Sequence, residues 1–300
     1  MSEVESIVRD VRERGDASLR DWALRLDGAE PARARPEGDV PTEAVLALAD
    51  RVRRWHGAQR PPDVRLEIEP GVELERRWVP LRSVGIYVPR GLVSTLVMCA
   101  VPAQVAGVER IAVATPPAGA GLVAAAAELL GVVEVWALGG PPAIAAFAYG
   151  TESIARVDKI VGPGNAYVNE AKLEVGREVA IDFPAGPSEV VVLLGRCGDR
   201  RIAELELAAQ AEHGAGTDCR IVEADGDLDA ALAEVERLAP EHLVLLGDAE
   251  SIAPRVRNAG AVFVGPHSPS RRATTRPAVI TSCRRAAARA PSVASGSRRS

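Results

Sequence analysis

The sequence predicts an α/β fold with parallel sheets, preceded by a helical N-terminal arm. Three observations support this prediction. The chain has 300 residues, a length typical of about two domains. Apolar residues recur at helical spacing over residues 1–58. From residue 83 onward, short β-branched runs alternate with alanine-rich helical windows, as in βαβ units.

The first 58 residues are predicted to form helices. Val4, Ile7, Val8 and Val11 are three or four residues apart, and a second set with the same spacing begins at Leu19. The prolines between residues 31 and 41 predict a loop. A further helix is predicted over residues 42–55.

Residues 83–264 are predicted to alternate between strands and helices. The strands are expected at 83–88, 111–115, 133–138, 190–194, 220–223, 242–246 and 261–264. The helices are expected at 95–105, 122–130, 143–149, 165–173, 202–212, 228–238 and 249–258. Because helices join consecutive strands, the strands are expected to run parallel.

The composition is typical of a globular chain, with 47% hydrophobic and 26% charged residues. This apolar content excludes intrinsic disorder for most of the length. No apolar run approaches the roughly 18 residues that a membrane span needs. The acidic N-terminus lacks the features of a signal peptide, and the four cysteines form no CxxC pair. We therefore expect a cytoplasmic protein.

The net charge of −5 conceals an acidic body and a basic tail. Eight of the 36 basic residues are arginines in residues 271–300, which contain no acidic residue. Residues 1–270 thus hold 28 basic against 41 acidic residues, a net charge of −13. A nucleic-acid-binding arm is one interpretation of such a tail. The acidic body and the absence of aromatic residues among these arginines argue against it. We predict an irregular tail over residues 267–300, no nucleic-acid partner and no membrane association.

Two polar, glycine-rich segments follow apolar runs. The strand at 83–88 ends in Pro89-Arg90-Gly91, which is either a plain turn or part of a ligand-binding sheet edge. The segment Gly162-Pro163-Gly164-Asn165 precedes a predicted helix. Asn165 suits an N-cap, and the glycines allow an anion to approach free amides, although a simple capped loop has the same pattern.

Three further segments carry side chains suited to chemistry. Gln210 and His213 are three residues apart near a helix end, so they are either half of a zinc site or an imidazole that stabilises the helix dipole. Glu241 and His242 place a carboxylate beside an imidazole, a pair that can supply general acid–base catalysis. Adjacent strand residues point to opposite faces, which leaves open whether both serve one site. Ser188 is either a substrate contact or a loop residue.

Taken in order, these motifs resemble histidinol dehydrogenase. The resemblance covers residues 1 to about 270 and is carried by segments 8–17, 85–89, 157–165, 181–189, 210–213, 239–242 and 258–266. It implies an NAD- and zinc-dependent enzyme that oxidises L-histidinol through L-histidinal to L-histidine, as an intertwined homodimer. It also implies a helical arm of residues 1–58 and two Rossmann-like domains. Residues 86–187 would form a domain inserted in another made of residues 59–85 and 188–266.

The resemblance further implies roles for individual residues. His242 takes the alcohol proton in the first oxidation, and Glu241 activates water for the second. Tyr87 and Asn165 contact NAD. The substrate-binding residues are Ser188, Gln210, His213 and His242. Gln210 and His213 are also zinc ligands.

The sequence departs from the family pattern in several places. Pro142 stands where the family has an NAD-contacting glutamine, and proline has no side-chain donor. The loop after Tyr87 and the passage between His213 and Glu241 are shorter. Two more zinc ligands are expected beyond residue 270, but residues 271–300 contain no His, Asp or Glu. We therefore expect the chain as written to bind zinc weakly.

The tail suggests a shifted reading frame near residue 270. Read one base out of frame with GC-rich codons, residues 272–285 permit a peptide that begins Gly-Asp-Tyr-Ala-Ala-Gly, as the family's continuation does. Two alternatives to a working histidinol dehydrogenase follow from these departures. One is a related dehydrogenase of another small alcohol, and the other is an impaired or inactive truncated remnant.

Overall fold

The structure is a computed structural model that describes residues 2–182, 189–211 and 218–267. The chain forms two compact units, which divide between residues 185 and 186. Within the described ranges, no helix is long and apolar enough to cross a membrane. The predicted irregular tail lies outside the described residues, apart from its first position.

The first unit begins with helices and a hairpin and continues with alternating strands and helices. Its opening elements are α1 Glu3–Arg14, α2 Asp16–Asp27, β1 Ala32–Arg33, α3 Thr42–Ala58, β2 Val64–Glu69 and β3 Val72–Arg76. The alternating elements are β4 Ser83–Tyr87, α4 Val93–Ala106, β5 Arg110–Thr115, α5 Ala120–Leu129, β6 Glu134–Ala137, α6 Gly140–Tyr149, β7 Lys159–Val161, α7 Ala166–Val175 and β8 Ala180–Ile181.

The main sheet of this unit has the strand order β1-β6-β5-β4-β7-β8. All neighbouring strands pair in parallel except β1, which runs antiparallel to β6. From β4 the chain winds outward through β5 to β6, and it then returns to the other side of β4 to form β7 and β8. Helices α3, α4 and α5 cover one face, and α1, α2, α6 and α7 cover the other. The winding direction therefore reverses between β4 and β7.

The N-terminal arm is helical because its caps and its apolar stripe agree. Ser2 caps α1: its hydroxyl accepts the Glu5 N–H at 3.1 Å, and the Glu5 carboxylate accepts the Ser2 N–H at 2.9 Å. The stripe that contains Val4 and Val11 is almost completely buried and packs against α6 and α7. Burial of this stripe holds the arm on one face of the sheet.

The second unit contains β9 Glu189–Leu194, α8 Arg200–Ala211, β10 Asp218–Glu223, α9 Leu228–Leu238, β11 His242–Leu246, a 3-10 helix Gly247–Arg255 and β12 Ala261–Val264. The four strands that the structure describes in this unit are all parallel, in the order β10-β9-β11-β12. Helix α8 packs on one face, and α9 with the 3-10 helix packs on the other. The predicted α/β fold with parallel sheets and N-terminal helices is confirmed.

Several local predictions were wrong. The α-helix expected at 249–258 is a 3-10 helix that ends at Arg255, and Pro254 cannot donate a backbone hydrogen bond there. Residues 64–76 form a hairpin that was not predicted, and the proline-rich segment at 31–41 contributes β1. Strands β7 and β8 were also missed.

Residues 59–85 lie in the first compact unit, and β4 as a whole pairs with β5 and β7. In the part of the chain that the structure describes, the second sheet contains strands only from residues 189–264. The inserted-domain arrangement that the resemblance implies, with residues 59–85 assigned to the second domain, stays a prediction.

Asp10 joins α1 to α2 through its carboxylate. Its Oδ2 atom accepts hydrogen bonds from the Ser18 hydroxyl at 2.7 Å and the Trp22 indole at 2.9 Å, and Arg14 donates from the same helix at 3.0 Å. The hydrogen bond from Ser18, followed by those from Trp22 and Arg14, lowers the pKa of Asp10 below its ordinary 3.8.

The substitution Asp10→Asn should lower the free energy of unfolding by about 1–2 kcal/mol near neutral pH, because it weakens charge-assisted hydrogen bonds. The folded-state pKa is below the unfolded one, so this stabilisation is present above the unfolded pKa and is lost as pH falls through the folded pKa. Urea unfolding near neutral pH and at about pH 2 tests this, with a smaller difference expected in acid. As a control, Asp21→Asn alters only an exposed ion pair with Arg14 and should have little effect. An equal loss for Asp10→Asn at both pH values would contradict the prediction.

Candidate active site

The carboxyl ends of β4 and β7 form the switch point of the first sheet. Ligands of open α/β sheets bind in the crevice at such a point. Strand β4 ends at Tyr87 and β7 at Val161, and Gly162 follows directly. Gly162 has a φ of +110°, and a Cβ atom added there would lie 2.2 Å from the Tyr87 carbonyl oxygen. Only glycine therefore allows the two strand ends to approach so closely.

Tyr87 is buried and its hydroxyl is held in place. The hydroxyl accepts the backbone N–H of Gly140, the first residue of α6, at 3.1 Å. Burial raises the pKa of Tyr87, so the phenol stays protonated near neutral pH. The preceding residue, Gly139, donates its N–H to Asp27 at 2.8 Å. The first bond fixes the loop between β6 and α6 against the end of β4, and the second fixes it against the end of α2.

Asn165 is the N-cap of α7, as predicted. Its Oδ1 atom accepts the Val168 N–H at 3.0 Å, which leaves the side-chain amide group outside this bond. Pro142 lies in the first turn of α6, where a backbone N–H has no partner within the helix. The fold thus tolerates proline at this position, although proline has no side-chain hydrogen-bond donor.

Glu241 and His242 lie at the amino end of β11, one of the two central strands of the second sheet. Glu241 Oε2 accepts the Glu189 N–H at 3.3 Å and lies 3.8 Å from Nδ1 of His242. The carboxylate thus comes close to the imidazole even though the two residues are adjacent in a strand. Nδ1 of His242 is buried and has no hydrogen-bond partner among the described residues. The imidazole packs against Phe263, with ring centroids 5.8 Å apart.

Gln210 lies near the end of α8 and is 5% exposed. Its Nε2 atom is buried without a hydrogen-bond partner within the described ranges, which is unusual for a buried amide. A hydrogen-bond acceptor on a bound ligand would pair with this donor, whereas a metal ion would bind the amide oxygen instead. Ser188 and His213, the other predicted substrate contacts, lie outside the described residues.

The described residues do not by themselves complete a zinc site. Among them, no group of three or more His, Cys, Asp and Glu side chains is arranged to hold a metal ion. Gln210 can supply one oxygen ligand, whereas a catalytic zinc ion takes three protein ligands. The zinc ligands predicted from the resemblance, Gln210 and His213, therefore stay a prediction.

The first sheet has the architecture of an α/β enzyme that binds a ligand at its switch point, and the second sheet carries a carboxylate–imidazole pair. Comparison with known families agrees. The family model for histidinol dehydrogenase matches residues 1–234 and 225–274. The chain belongs to the histidinol dehydrogenase family, and family members are oxidoreductases.

Individual relatives match along most of the chain. The histidinol dehydrogenase of Rhizobium meliloti is 39% identical over an alignment that covers 89% of this chain and 74% of the relative. That of Nitrobacter winogradskyi is 41% identical, with 88% and 75% covered. The crystal structure of histidinol dehydrogenase from Elizabethkingia anophelis superposes with a TM-score of 0.79 at 29% identity, covering 90% of this chain and 76% of the other. Matches of this extent do not favour the alternative of a truncated remnant.

The substitution Gly162→Ala should lower the free energy of unfolding by more than about 3 kcal/mol, because it combines backbone strain with a collision against Tyr87. Gly131→Ala is the matched control: Gly131 also has a positive φ, +71°, but open space surrounds it. We expect a loss of only about 1 kcal/mol there. Chemical denaturation measures both values. Equal losses in the two variants would show that the close approach at Gly162 is unimportant.

Proposed function

We propose that this chain oxidises L-histidinol through L-histidinal to L-histidine, passing two hydrides to NAD, in histidine biosynthesis. The observation that carries the proposal is the Glu241–His242 pair, with 3.8 Å between carboxylate and imidazole, in a member of the histidinol dehydrogenase family. Two oxidation steps need a base for an alcohol and then a base for water. This pair offers one group for each step. As a biosynthetic enzyme, the protein is proposed to act in the cytoplasm.

In the first step His242 is the general base. An alcohol becomes an aldehyde when its hydroxyl proton and a hydride from carbon both leave. The imidazole accepts the proton on a ring nitrogen, and Phe263 holds the ring in position. Bound NAD supplies the hydride acceptor.

In the second step Glu241 activates water. The aldehyde gains a water oxygen and again loses a hydride, while the carboxylate takes the water proton. The bond from the Glu189 N–H holds the carboxylate at the start of β11. Because β9 and β11 pair in register, this bond joins two neighbouring strand starts. The geometry favours a fixed base over a mobile surface carboxylate.

NAD binding is proposed for the first unit, at the switch point. Tyr87 and Asn165 are the contacting residues. The start of α7 offers amides that suit a phosphate, and Gly164 precedes its N-cap. Pro142 cannot replace the hydrogen bonds of a glutamine, so the contacts on that side are expected to be weaker.

Zinc is proposed as the second cofactor, with Gln210 and His213 as ligands. When bound, zinc would orient the substrate by coordinating its imidazole and amino groups. Gln210 is 5% exposed near the end of α8, and its amide oxygen is the atom that would bind the metal. Ser188 and His242 would complete the substrate contacts. With two protein ligands the affinity is expected to be low, so activity should require added zinc.

The proposal is tested by assaying the purified chain for histidinol-dependent NADH formation, with and without added zinc. His242→Ala should lower kcat by about 10²–10⁴-fold without weakening NAD binding, because only the general base is lost. Glu241→Gln should release histidinal and reduce the yield from two NADH per histidinol towards one. His56→Ala, in α3, is the control and should retain the activity. No NADH formation in the presence of zinc, or full activity of His242→Ala, would refute the proposal.

We also propose a homodimer, in which a second copy of the chain covers the β2–β3 hairpin. Every residue of both strands is exposed. One face is apolar and carries Val64, Leu66, Ile68, Val72 and Leu74, with Leu66 directly opposite Leu74. An isolated two-stranded hairpin is only marginally stable.

The size of the apolar surface supports a second copy as the occupant. Trp78, Val79 and Leu81 continue the surface beyond β3, and all three are exposed. Eight large apolar side chains together offer an area on the order of the 800 Å² that each partner buries in a stable interface. A symmetric dimer places the same face on both sides, so apolar side chains meet apolar side chains.

The double substitution Leu66→Asp with Leu74→Asp should convert the dimer to a monomer, because it places carboxylates in the apolar interface. Analytical ultracentrifugation of the full chain measures this. Glu75→Gln, on the opposite face of the hairpin, is the control and should remain dimeric. A monomeric unsubstituted chain, or a double variant that stays dimeric, would contradict the proposal.

A further inference from the structure

We infer that Lys172 and Asp182 are a positioning pair that holds the Gly162–Asn165 segment in the conformation that binds NAD. The inference rests on the proposed function, because it concerns the cofactor site at the switch point. Neither residue is assigned a role by the resemblance or by the reaction chemistry. Both act through the backbone of Gly162.

The Lys172–Asp182 pair forms hydrogen bonds with both backbone polar groups of Gly162. Lys172 is only 1% exposed, and its Nζ atom donates to the Gly162 carbonyl oxygen at 3.0 Å. Asp182 forms an ion pair with the same Nζ atom, and its Oδ2 atom accepts the Gly162 N–H at 2.7 Å. Both polar groups of a single backbone residue are thus bound by one ion pair, in which the lysine is buried and the aspartate is 30% exposed.

Stability alone does not explain this arrangement. Lysine is almost never fully buried unless it is paired, and apolar residues of similar size often stabilise a core as well as an ion pair does. A charged pair does supply directional bonds, however, and here these bonds go to the loop at the switch point. An apolar replacement could not form these bonds, and it therefore could not fix the loop.

The position of the pair connects three elements. Asn165 and Lys172 are seven residues apart and therefore lie on one side of α7, and Asp182 directly follows β8. Gly162 lies against the backbone of Tyr87, so holding Gly162 also sets the distance between the two predicted NAD contacts.

Cys99 of α4 is near enough for both charges to act on it, and desolvation raises the pKa of its thiol to about 12. At neutral pH this thiol is uncharged, so it does not compete with Asp182 for the ion pair with Lys172.

The test compares variants of the pair with a variant of a hydrogen-bonded aspartate at the other end of the same strands. Asp182→Asn removes the charge, and Lys172→Met with Asp182→Asn removes both charges and leaves no unpaired ion to unfold the chain. The control is Asp158→Asn. Asp158 binds the Ser83 N–H at 2.8 Å and the Ser83 hydroxyl at 3.0 Å, at the amino ends of β4 and β7.

Two measurements are made on the full chain: calorimetric titration with NAD, and hydrogen exchange of the Gly162 amide without NAD. We expect the double variant to raise the Kd for NAD about tenfold or more, to speed Gly162 exchange and to leave KM for histidinol unchanged. Asp158→Asn should keep the Kd within about twofold. An unchanged Kd in the double variant would overturn the inference, as would unchanged Gly162 exchange. If the unsubstituted chain binds no NAD, the proposed function fails, and the exchange rates still report whether the pair holds Gly162.

Discussion

The approach of Gly162 to the backbone of Tyr87 is the constraint on which the functional edge of the first sheet depends. Parallel strands bring their carboxyl ends to one edge, but they do not by themselves bring the following loops together. A residue with a side chain would keep the two loops apart, since its Cβ atom would lie 2.2 Å from the Tyr87 carbonyl oxygen. The helix caps and the ion pair around this point contribute to a single ligand-binding edge only because Gly162 and Tyr87 lie so close together. The Tyr87 hydroxyl then fixes the start of α6, and Asn165 fixes the start of α7.

The second sheet differs from the first, because its candidate catalytic residues lie at the amino ends of the strands. Adjacent residues of a strand normally face opposite ways. Glu241 nevertheless approaches His242 because it precedes β11 and hydrogen bonds to the start of β9. Strand pairing between β9 and β11 thus sets the geometry of the pair. A base built in this way is positioned by backbone hydrogen bonds and does not depend on a flexible loop.

Much of this architecture could be predicted from the sequence, because strand and helix periods differ and the strand–helix units repeat. The capping role of Asn165 also followed from local chemistry, and the resemblance located Glu241 and His242. The hairpin at 64–76 was missed although its alternating residues and Pro70-Gly71 turn are a recognisable signal. The 3-10 helix replaced an expected α-helix because a local period does not reveal how Pro254 changes the hydrogen bonding.

The hydrogen bonds that join Lys172 and Asp182 to Gly162 could not be predicted from the sequence, because the three residues are distant from one another in the chain. Lys172 has the appearance of an ordinary helix residue, and Asp182 that of a residue in a loop motif. Only the fold brings them to one backbone residue. The one available signal was the lysine itself, since it is one of only two in the chain. Such tertiary contacts are the part of a site that periodicity and motif spacing leave out.

A titration of the isotope-labelled chain with NAD, followed residue by residue by NMR, tests most directly whether the β4–β7 edge is the cofactor site. The amide signals of Tyr87, Gly162 and Gly164 should shift together and saturate with a single Kd. Those of Ser83 and Asp158, at the opposite ends of the same strands, should stay in place. Saturable binding that shifts other residues and leaves Gly162 and Gly164 unchanged would contradict the assignment of this crevice.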